Sequence, residues 1–148
     1  MGSLRLVKTV LFSLCLAATA LGSACSSDTA AGGGDKVHGK VLVDTTCMGC
    51  HNTDLSGSTT LLTDPNNPNN KAYSSNITPD SATGIGDWSD KEIDDAIRKG
   101  IDDAQKPMCA PMPKYASMSD SDVADIIAYL RSVPKVSRAV MESECGSL

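Results

Sequence analysis

The sequence predicts an all-α protein with three to five helices, and two observations support this fold class. Three segments place apolar residues at helical spacing, and two of these segments open with an N-cap signal. No segment shows the apolar and polar alternation that is typical of a strand. The chain has 148 residues, which is enough for one small domain.

The first helix is predicted from about Lys36 to His51. Three residues are candidates for its packing face: Val37, Val41 and Leu42. The segment that follows is polar, and residues 64–70 read DPNNPNN. Asparagine, aspartate and proline favour turns, so this segment is predicted to be a surface loop.

The second helix is predicted to begin at Ser89. Ser89 and Glu92 form a capping box, and Trp88 with Ile93 occupies the two positions of a hydrophobic staple. The apolar stripe contains three residues: Ile93, Ala96 and Ile97. Two acidic residues are predicted to face solvent: Asp94 and Asp95. Gly100 is the predicted end of this helix.

The third helix is predicted to begin at Ser119, with Asp122 at the third helical position. Met118 and Val123 form a second staple. Four residues make the predicted buried face: Val123, Ile126, Ile127 and Leu130. Pro134 cannot continue a helix and is the predicted stop.

A C-x-x-C-H motif, Cys47-Met48-Gly49-Cys50-His51, lies at the end of the first predicted helix. Cys47 and Cys50 have the spacing to form thioethers to a haem, and His51 then lies under the ring as an iron ligand. The same residues would also suit a thioredoxin-like dithiol or half of a zinc site. A zinc site needs further ligands, and the only other histidine is His38.

Aromatic residues are few, which supports a haem in the core. Beyond residue 24 the chain has only four aromatic residues: Tyr73, Trp88, Tyr115 and Tyr129. Aromatic side chains usually supply much of the core of a domain. A large, flat and mostly apolar haem would fill the centre instead, and the haem-free chain is then expected to fold poorly.

The sixth iron ligand is predicted to be a methionine, and three candidates lie in the right region: Met108, Met112 and Met118. Met112 stands between Pro111 and Pro113, whose fixed φ angles make a stiff segment, so it is the favoured candidate. Met118 already has a role as a staple residue. His38 is predicted to be a solvent-facing helix residue.

The N-terminus predicts export. Residues 1–24 have a basic start and an apolar stretch that is short for a membrane span, and small residues precede Cys25. The segment LGSAC resembles a lipobox, which would make Cys25 a lipidated N-terminus. Cleavage after Ala20 or Ala24, which would give a free soluble protein, is the alternative. Residues 25–35 are predicted to form a flexible tether, and residues 36–148 the folded domain, with a tail from about residue 135.

The negative net charge of the chain argues against nucleic acid as a partner. Removal of residues 1–24 would leave 11 basic and 18 acidic residues, a formal charge of −7. So acidic a chain is not expected to bind nucleic acid, and a partner protein with a basic docking patch is favoured.

The residues CMGCH, NITPDSATGIGDWSDKEI and APMPKYASMSDSDVADIIAYLRSVP, in this order, resemble class I mono-haem cytochromes c. The resemblance is strongest to cytochrome subunits and domains of membrane-associated dehydrogenases. It implies a cytochrome c fold around one covalently bound haem c, with His51 and Met112 as the axial iron ligands. It also implies that Trp88 lies near the haem propionates and that Tyr129 packs against Gly39.

Cys109 and Cys145 are additional to the family pattern. In an oxidising cell envelope they could form a disulfide that ties the tail to the methionine region. Two free thiols are the alternative.

The function that these residues predict is single-electron transfer in the cell envelope, without catalysis. The predicted partners are redox proteins (a dehydrogenase, an oxidase or another cytochrome), together with the membrane through a lipid anchor. The alternative is a haem enzyme or gas-binding protein with an open or displaceable sixth iron position.

Overall fold

A computed structural model describes residues 33–64 and 67–145. Within these ranges the chain forms four α-helices: α1 (Lys36–Thr46), α2 (Met48–His51), α3 (Asp90–Lys99) and α4 (Asp120–Leu130). The described residues form no strand, and three isolated β-bridges join loop segments. The predicted all-α fold class is therefore confirmed.

The first predicted helix is wrong in its continuity, because it breaks at Cys47. Cys47 has φ −110° and ends α1, and the short α2 begins at the next residue. The last turn of α1 contains two threonines whose hydroxyls bond to backbone carbonyls. Thr45 Oγ1 donates to Val41 O at 2.9 Å, and Thr46 Oγ1 donates to Leu42 O at 2.6 Å. Such bonds compete with the helical ladder and favour a bend.

The packing face of α1 also differs from the prediction. Val37 is 77% exposed and Val41 is 56% exposed, so neither belongs to the core, although Leu42 is partly buried against it. The buried residues of α1 are Gly39 and Val43. They lie two residues further along the chain, about 200° around the helix, and therefore on the opposite face.

Helix α3 begins as predicted, with the Ser89–Glu92 capping box formed in both directions. Gly100 ends it in the left-handed conformation at φ 65°. The solvent-facing assignment of Asp95 is wrong, because only 3% of this residue is exposed. Lys91 and Lys99, one turn away on either side, form ion pairs with its carboxylate and cover it.

Helix α4 begins at the Ser119 cap, which accepts a hydrogen bond from the backbone N–H of Asp122. The four predicted core residues, Val123, Ile126, Ile127 and Leu130, are all buried. The helix ends at Leu130, before the predicted stop at Pro134. A turn follows, in which Ser132 N donates to Tyr129 O at 2.8 Å.

Helices α1 and α4 cross where Gly39 permits close approach. A Cβ atom on Gly39 would lie 1.9 Å from the carbonyl oxygen of Asp125 and 3.0 Å from Cβ of Tyr129. The contact between Tyr129 and Gly39 that the family resemblance implies is therefore present.

A histidine and a carboxylate join the same two helices. Nδ1 of His38 lies 2.8 Å from Oδ2 of Asp125, and the backbone N–H of Asp35 donates to Oδ1 at 2.6 Å. The hydrogen bond to Asp125 raises the pKa of His38, while desolvation opposes this and the charges of Asp125, Asp122 and Asp35 add to it. His38 is exposed, as predicted. Its contact with Asp125 links α1 to α4.

The core consists of apolar residues from α1, α3, α4 and two loops: Val43, Leu55, Ile85, Ile93, Ile97, Val123, Ile126, Ile127 and Leu130. Among the described residues, no helix combines the length and hydropathy that a membrane span requires.

We expect Gly39→Ala to lower the free energy of unfolding by about 3 kcal/mol, because the new methyl group must push α1 away from α4. Gly49→Ala is a matched control, since nothing lies within 4 Å of a Cβ atom at this position. The control should change the free energy of unfolding by no more than about 0.5 kcal/mol. Denaturant unfolding of both variants measures this. Equal stability of Gly39→Ala and the unsubstituted protein would contradict the helix crossing.

Candidate haem site

A cavity of about 580 Å³ lies beside the C-x-x-C-H motif and extends to the methionine region. Apolar side chains from α3 and α4 form much of its wall: Ile93, Ala96, Ile97, Ile126 and Leu130. Trp88 and Tyr115 complete this side. A mostly apolar cavity with a few polar groups is the usual form of a cofactor site.

The two cysteines of the motif line the same cavity. Cys47 stands at the N-cap of α2 and is partly buried, whereas Cys50 in α2 is exposed, and both are free thiols. Burial raises the pKa of Cys47, which keeps it protonated at neutral pH. A thiol–disulfide enzyme instead requires a thiolate at low pKa.

His51 lines the cavity, and one of its ring nitrogens makes a hydrogen bond to a backbone carbonyl. The residue is 7% exposed, and its Nδ1 lies 2.7 Å from the carbonyl oxygen of Ser75. A carbonyl only accepts, so Nδ1 carries the proton and Nε2 keeps the lone pair. Burial lowers the pKa of His51, although the bond to Ser75 opposes this shift. A neutral imidazole with a free lone pair is the form that ligates iron.

Two hydrogen bonds to backbone carbonyls of α2 attach this helix to the loop that carries Ser75 and to Gly57. Oγ of Ser74 donates to the carbonyl of Cys50 at 2.6 Å, and the N–H of Gly57 donates to the carbonyl of His51 at 3.1 Å. These bonds hold the motif and the carbonyl partner of its histidine in one unit.

Two of the three candidate methionines line the cavity, namely Met108 and Met112. Met118 packs against the apolar core, as expected of a staple residue, and is not among the lining residues. The N–H of Met112 donates to the carbonyl of Cys109 at 3.1 Å, which closes a tight turn.

We call residues 109–112 the methionine turn. Hydrogen bonds of the residues on either side of this turn attach it to α3 and to Gly100, which ends α3. The N–H of Met108 donates to the carbonyl of Gly100 at 2.8 Å, and the N–H of Tyr115 donates to the carbonyl of Ile97 at 2.9 Å. Tyr115 also donates from its hydroxyl to the carbonyl of Thr46 at 3.3 Å, beside the motif. The methionine side of the cavity is thereby linked to the cysteine side.

Cys109 and Cys145 are joined by a disulfide, with their Cα atoms 5.5 Å apart. Cys109 is buried, and Cys145 ends the described part of the tail. Residues of this tail line the cavity: Val140, Met141, Glu142, Ser143 and Cys145.

The tail residues and the Ser75 carbonyl are parts of the site that the sequence did not predict. Neither has a local signal, because a backbone carbonyl is common to every residue and the tail has no periodic pattern. Cys109 and Cys145 were the one available indication, since a disulfide would bring the tail to the methionine turn. Cys25, the signal segment 1–24 and tether residues 25–32 lie outside the described residues.

The donor set suits a c-type haem. Two free thiols, a neutral imidazole and the thioethers of Met108, Met112 and Met141 line one mostly apolar cavity. Thiols, an imidazole and a thioether are the attachment points and axial ligands of such a haem. The residues present therefore fit the cofactor that the motif predicts.

Comparison with known proteins gives the same indication. The family model for cytochrome c matches residues 37–134. The gluconate 2-dehydrogenase cytochrome c subunit of Pantoea cypripedii is 35% identical over 106 residues, which cover 66% of this chain and 23% of that protein. The cytochrome c subunit of the quinone-dependent alcohol dehydrogenase of Gluconobacter oxydans (strain 621H) is 36% identical over 86 residues, or 56% of this chain and 18% of that subunit.

The fructose dehydrogenase cytochrome subunit of Gluconobacter japonicus is 31% identical over 96 residues, which cover 60% of this chain and 19% of that protein. In each of these comparisons the match spans about a fifth of the relative's length.

Proposed function

Because the chain belongs to the cytochrome c family, we propose that it is a single-electron carrier with one haem c, bound through Cys47 and Cys50. Electron transfer through haem is the function of that family. We propose His51 and Met112 as the axial ligands. The single C-x-x-C-H motif in this sequence supports the proposal of one haem.

The observation that supports this proposal most is the shared cavity. Cys47, Cys50, His51 and Met112 line one space of about 580 Å³, although Met112 is more than sixty residues from the motif. When bound, the haem supplies an iron that alternates between ferrous and ferric states. The protein residues hold that iron and set its surroundings.

His51 is oriented by the Ser75 carbonyl, so that Nε2 can bind iron without first losing a proton. Met112 offers a thioether, which favours the ferrous state more than a second imidazole would. The apolar wall from α3 and α4 would lower the local dielectric around the bound iron.

Met112 is preferred to Met108 for a reason of local structure. Both side chains line the cavity, but Met112 lies between two prolines and within the turn closed by Cys109. A segment that is already restricted loses little conformational entropy when its thioether binds iron. Met118 is committed to the apolar core.

An electron carrier needs a donor and an acceptor, and both are expected to be proteins. The relatives above are named as subunits of gluconate, alcohol and fructose dehydrogenases. We therefore propose a dehydrogenase, an oxidase or another cytochrome as the redox partner. The acidic charge of the chain favours partners with a basic patch.

The proposed axial ligation predicts a specific spectrum. The oxidised haem protein should be low-spin and show the weak far-red iron–sulfur charge-transfer band. Met112→Ala should abolish this band, because it removes the sulfur ligand. Met108→Ala and Met118→Ala are matched controls and should retain it.

The alternative function would give the opposite result. If the protein is instead a haem enzyme or a gas-binding protein, the unsubstituted oxidised protein should be high-spin, or the unsubstituted reduced protein should bind carbon monoxide rapidly. Either observation, or a far-red band that persists in Met112→Ala, would contradict the proposed ligation.

We also propose that the protein is exported and anchored to the envelope membrane by lipid on Cys25. The basic and apolar residues before Cys25 and the LGSAC segment support this proposal. A short flexible tether would keep the haem domain near membrane-bound partners and raise their effective concentration.

Cys25→Ser should move the protein from the membrane fraction to the soluble envelope fraction, because it removes the only proposed attachment point. Its haem content should stay unchanged, since the haem site lies beyond the tether. Fractionation with N-terminal sequencing measures both. An unsubstituted protein in the soluble fraction with an N-terminus other than Cys25 would contradict the anchor.

A further inference from the structure

The C-terminal segment, residues 135–145, crosses from the end of α4 to the methionine turn, and we call it the strap. Its first half is attached by hydrogen bonds to the loop of residues 76–83. Asn76 donates from its side-chain amide to the carbonyl of Val136 at 2.7 Å, and the N–H of Arg138 donates to Oγ1 of Thr83 at 3.0 Å. The N–H of Val136 donates to Oγ1 of the buried Thr78 at 3.2 Å.

The second half of the strap is paired with the segment that leads to Ser75. Lys71 and Glu144 exchange backbone hydrogen bonds of 2.9 and 2.8 Å, and their side chains form an ion pair at 3.1 Å. The N–H of Tyr73 donates to Oγ of Ser143 at 2.9 Å. The strap is therefore attached to the loop that orients His51.

The end of the strap is attached to the other side of the cavity by the Cys109–Cys145 disulfide. Cys109 is the residue whose carbonyl accepts the hydrogen bond from the N–H of Met112. One turn thus separates the disulfide from the proposed iron ligand. The strap joins the histidine side of the cavity to the methionine side and lines the space between them.

We propose that the Cys109–Cys145 disulfide is a positioning element for the sixth iron ligand. It holds the methionine turn against the strap and closes one edge of the cavity to water and small ligands. This inference rests on the proposed function, because it concerns the iron that His51 and Met112 would hold.

The disulfide would act by limiting how far the methionine turn can move after its sulfur has left the iron. When a thioether leaves iron, a free loop can move away, and an external ligand can take the position. A crosslink one turn from Met112 limits that movement and keeps the sulfur close to the iron. A disulfide with only a stabilising role would change the unfolding midpoint but leave ligand exchange in the folded protein unaltered.

The test uses the double variant Cys109→Ser/Cys145→Ser as the haem-loaded full chain. Both cysteines are replaced, because a single substitution would leave a thiol that could bind iron or pair between molecules. The readouts are the far-red band of the oxidised protein and the rate at which added imidazole binds ferric iron. Helical circular dichroism and intact mass establish that the variant is folded and carries haem.

We expect imidazole to bind the double variant at least about tenfold faster than the unsubstituted protein, with a weaker far-red band. Lys71→Ala is the matched control. It removes the side-chain ion pair to Glu144 on the strap but leaves the disulfide and the residues that line the cavity, so its rate should stay within about twofold of the unsubstituted protein. Equal imidazole rates and equal bands in the double variant and the unsubstituted protein would overturn the proposal.

A second measurement applies if the double variant does not fold. The disulfide of the unsubstituted haem protein is reduced with a phosphine, its thiols are alkylated, and the iron is reoxidised before imidazole is added. A faster rate supports the proposal, and an unchanged rate overturns it. If the untreated protein lacks the far-red band, methionine ligation and this inference both fail. If it has the band but neither treatment changes the rate, only this inference fails.

Discussion

A cavity of about 580 Å³ lies against the apolar core of a chain that has only four aromatic residues beyond residue 24. Its wall contains residues that also form the apolar core, among them Ile93, Ile97 and Ile126. These side chains therefore contact other core residues and also face the cavity. Because an unfilled apolar space costs dispersion contacts, the group that fills it completes the core. A covalently bound haem suits this requirement, since it cannot leave while the thioethers are intact.

The residues that position the proposed ligands belong largely to other segments. The imidazole of His51 is oriented by the Ser75 carbonyl, and the turn that contains Met112 is secured by bonds to Gly100 and Ile97. The two ligand-bearing segments are then connected through the strap and its disulfide. With the proposed ligands bound, such an arrangement would restrict movement at the iron and reduce the reorganisation that accompanies electron transfer.

The sequence predicted the features that depend on short-range chemistry. The capping box at Ser89, the left-handed stop at Gly100 and the buried face of α4 each involve residues within one or two turns. The approach of Tyr129 to Gly39 is a long-range contact, and only the family resemblance indicated it. The proposed roles of the two cysteines and the histidine rest on the spacing of the C-x-x-C-H motif, which is typical of haem attachment.

The failures came from effects that periodicity does not contain. The break at Cys47 follows two threonines whose hydroxyls bond back to the helix, which favours a bend, and a continuous apolar pattern does not reveal this. Asp95 is buried because two lysines fold over it, so its burial is decided by side-chain partners and not by its polarity. The strap was not predicted as part of the site, since its hydrogen bonds join residues about sixty to seventy positions apart.

Amide hydrogen exchange distinguishes a core that a covalent haem completes from a core that is complete without it. The haem-loaded protein should be compared with the same chain produced in cells that lack haem-attachment machinery. If haem completes the core, the amides of α3 and α4 exchange at least about a hundredfold faster in the haem-free chain, because global opening becomes easier. Equal protection of these amides in the two forms would show that the core does not depend on haem.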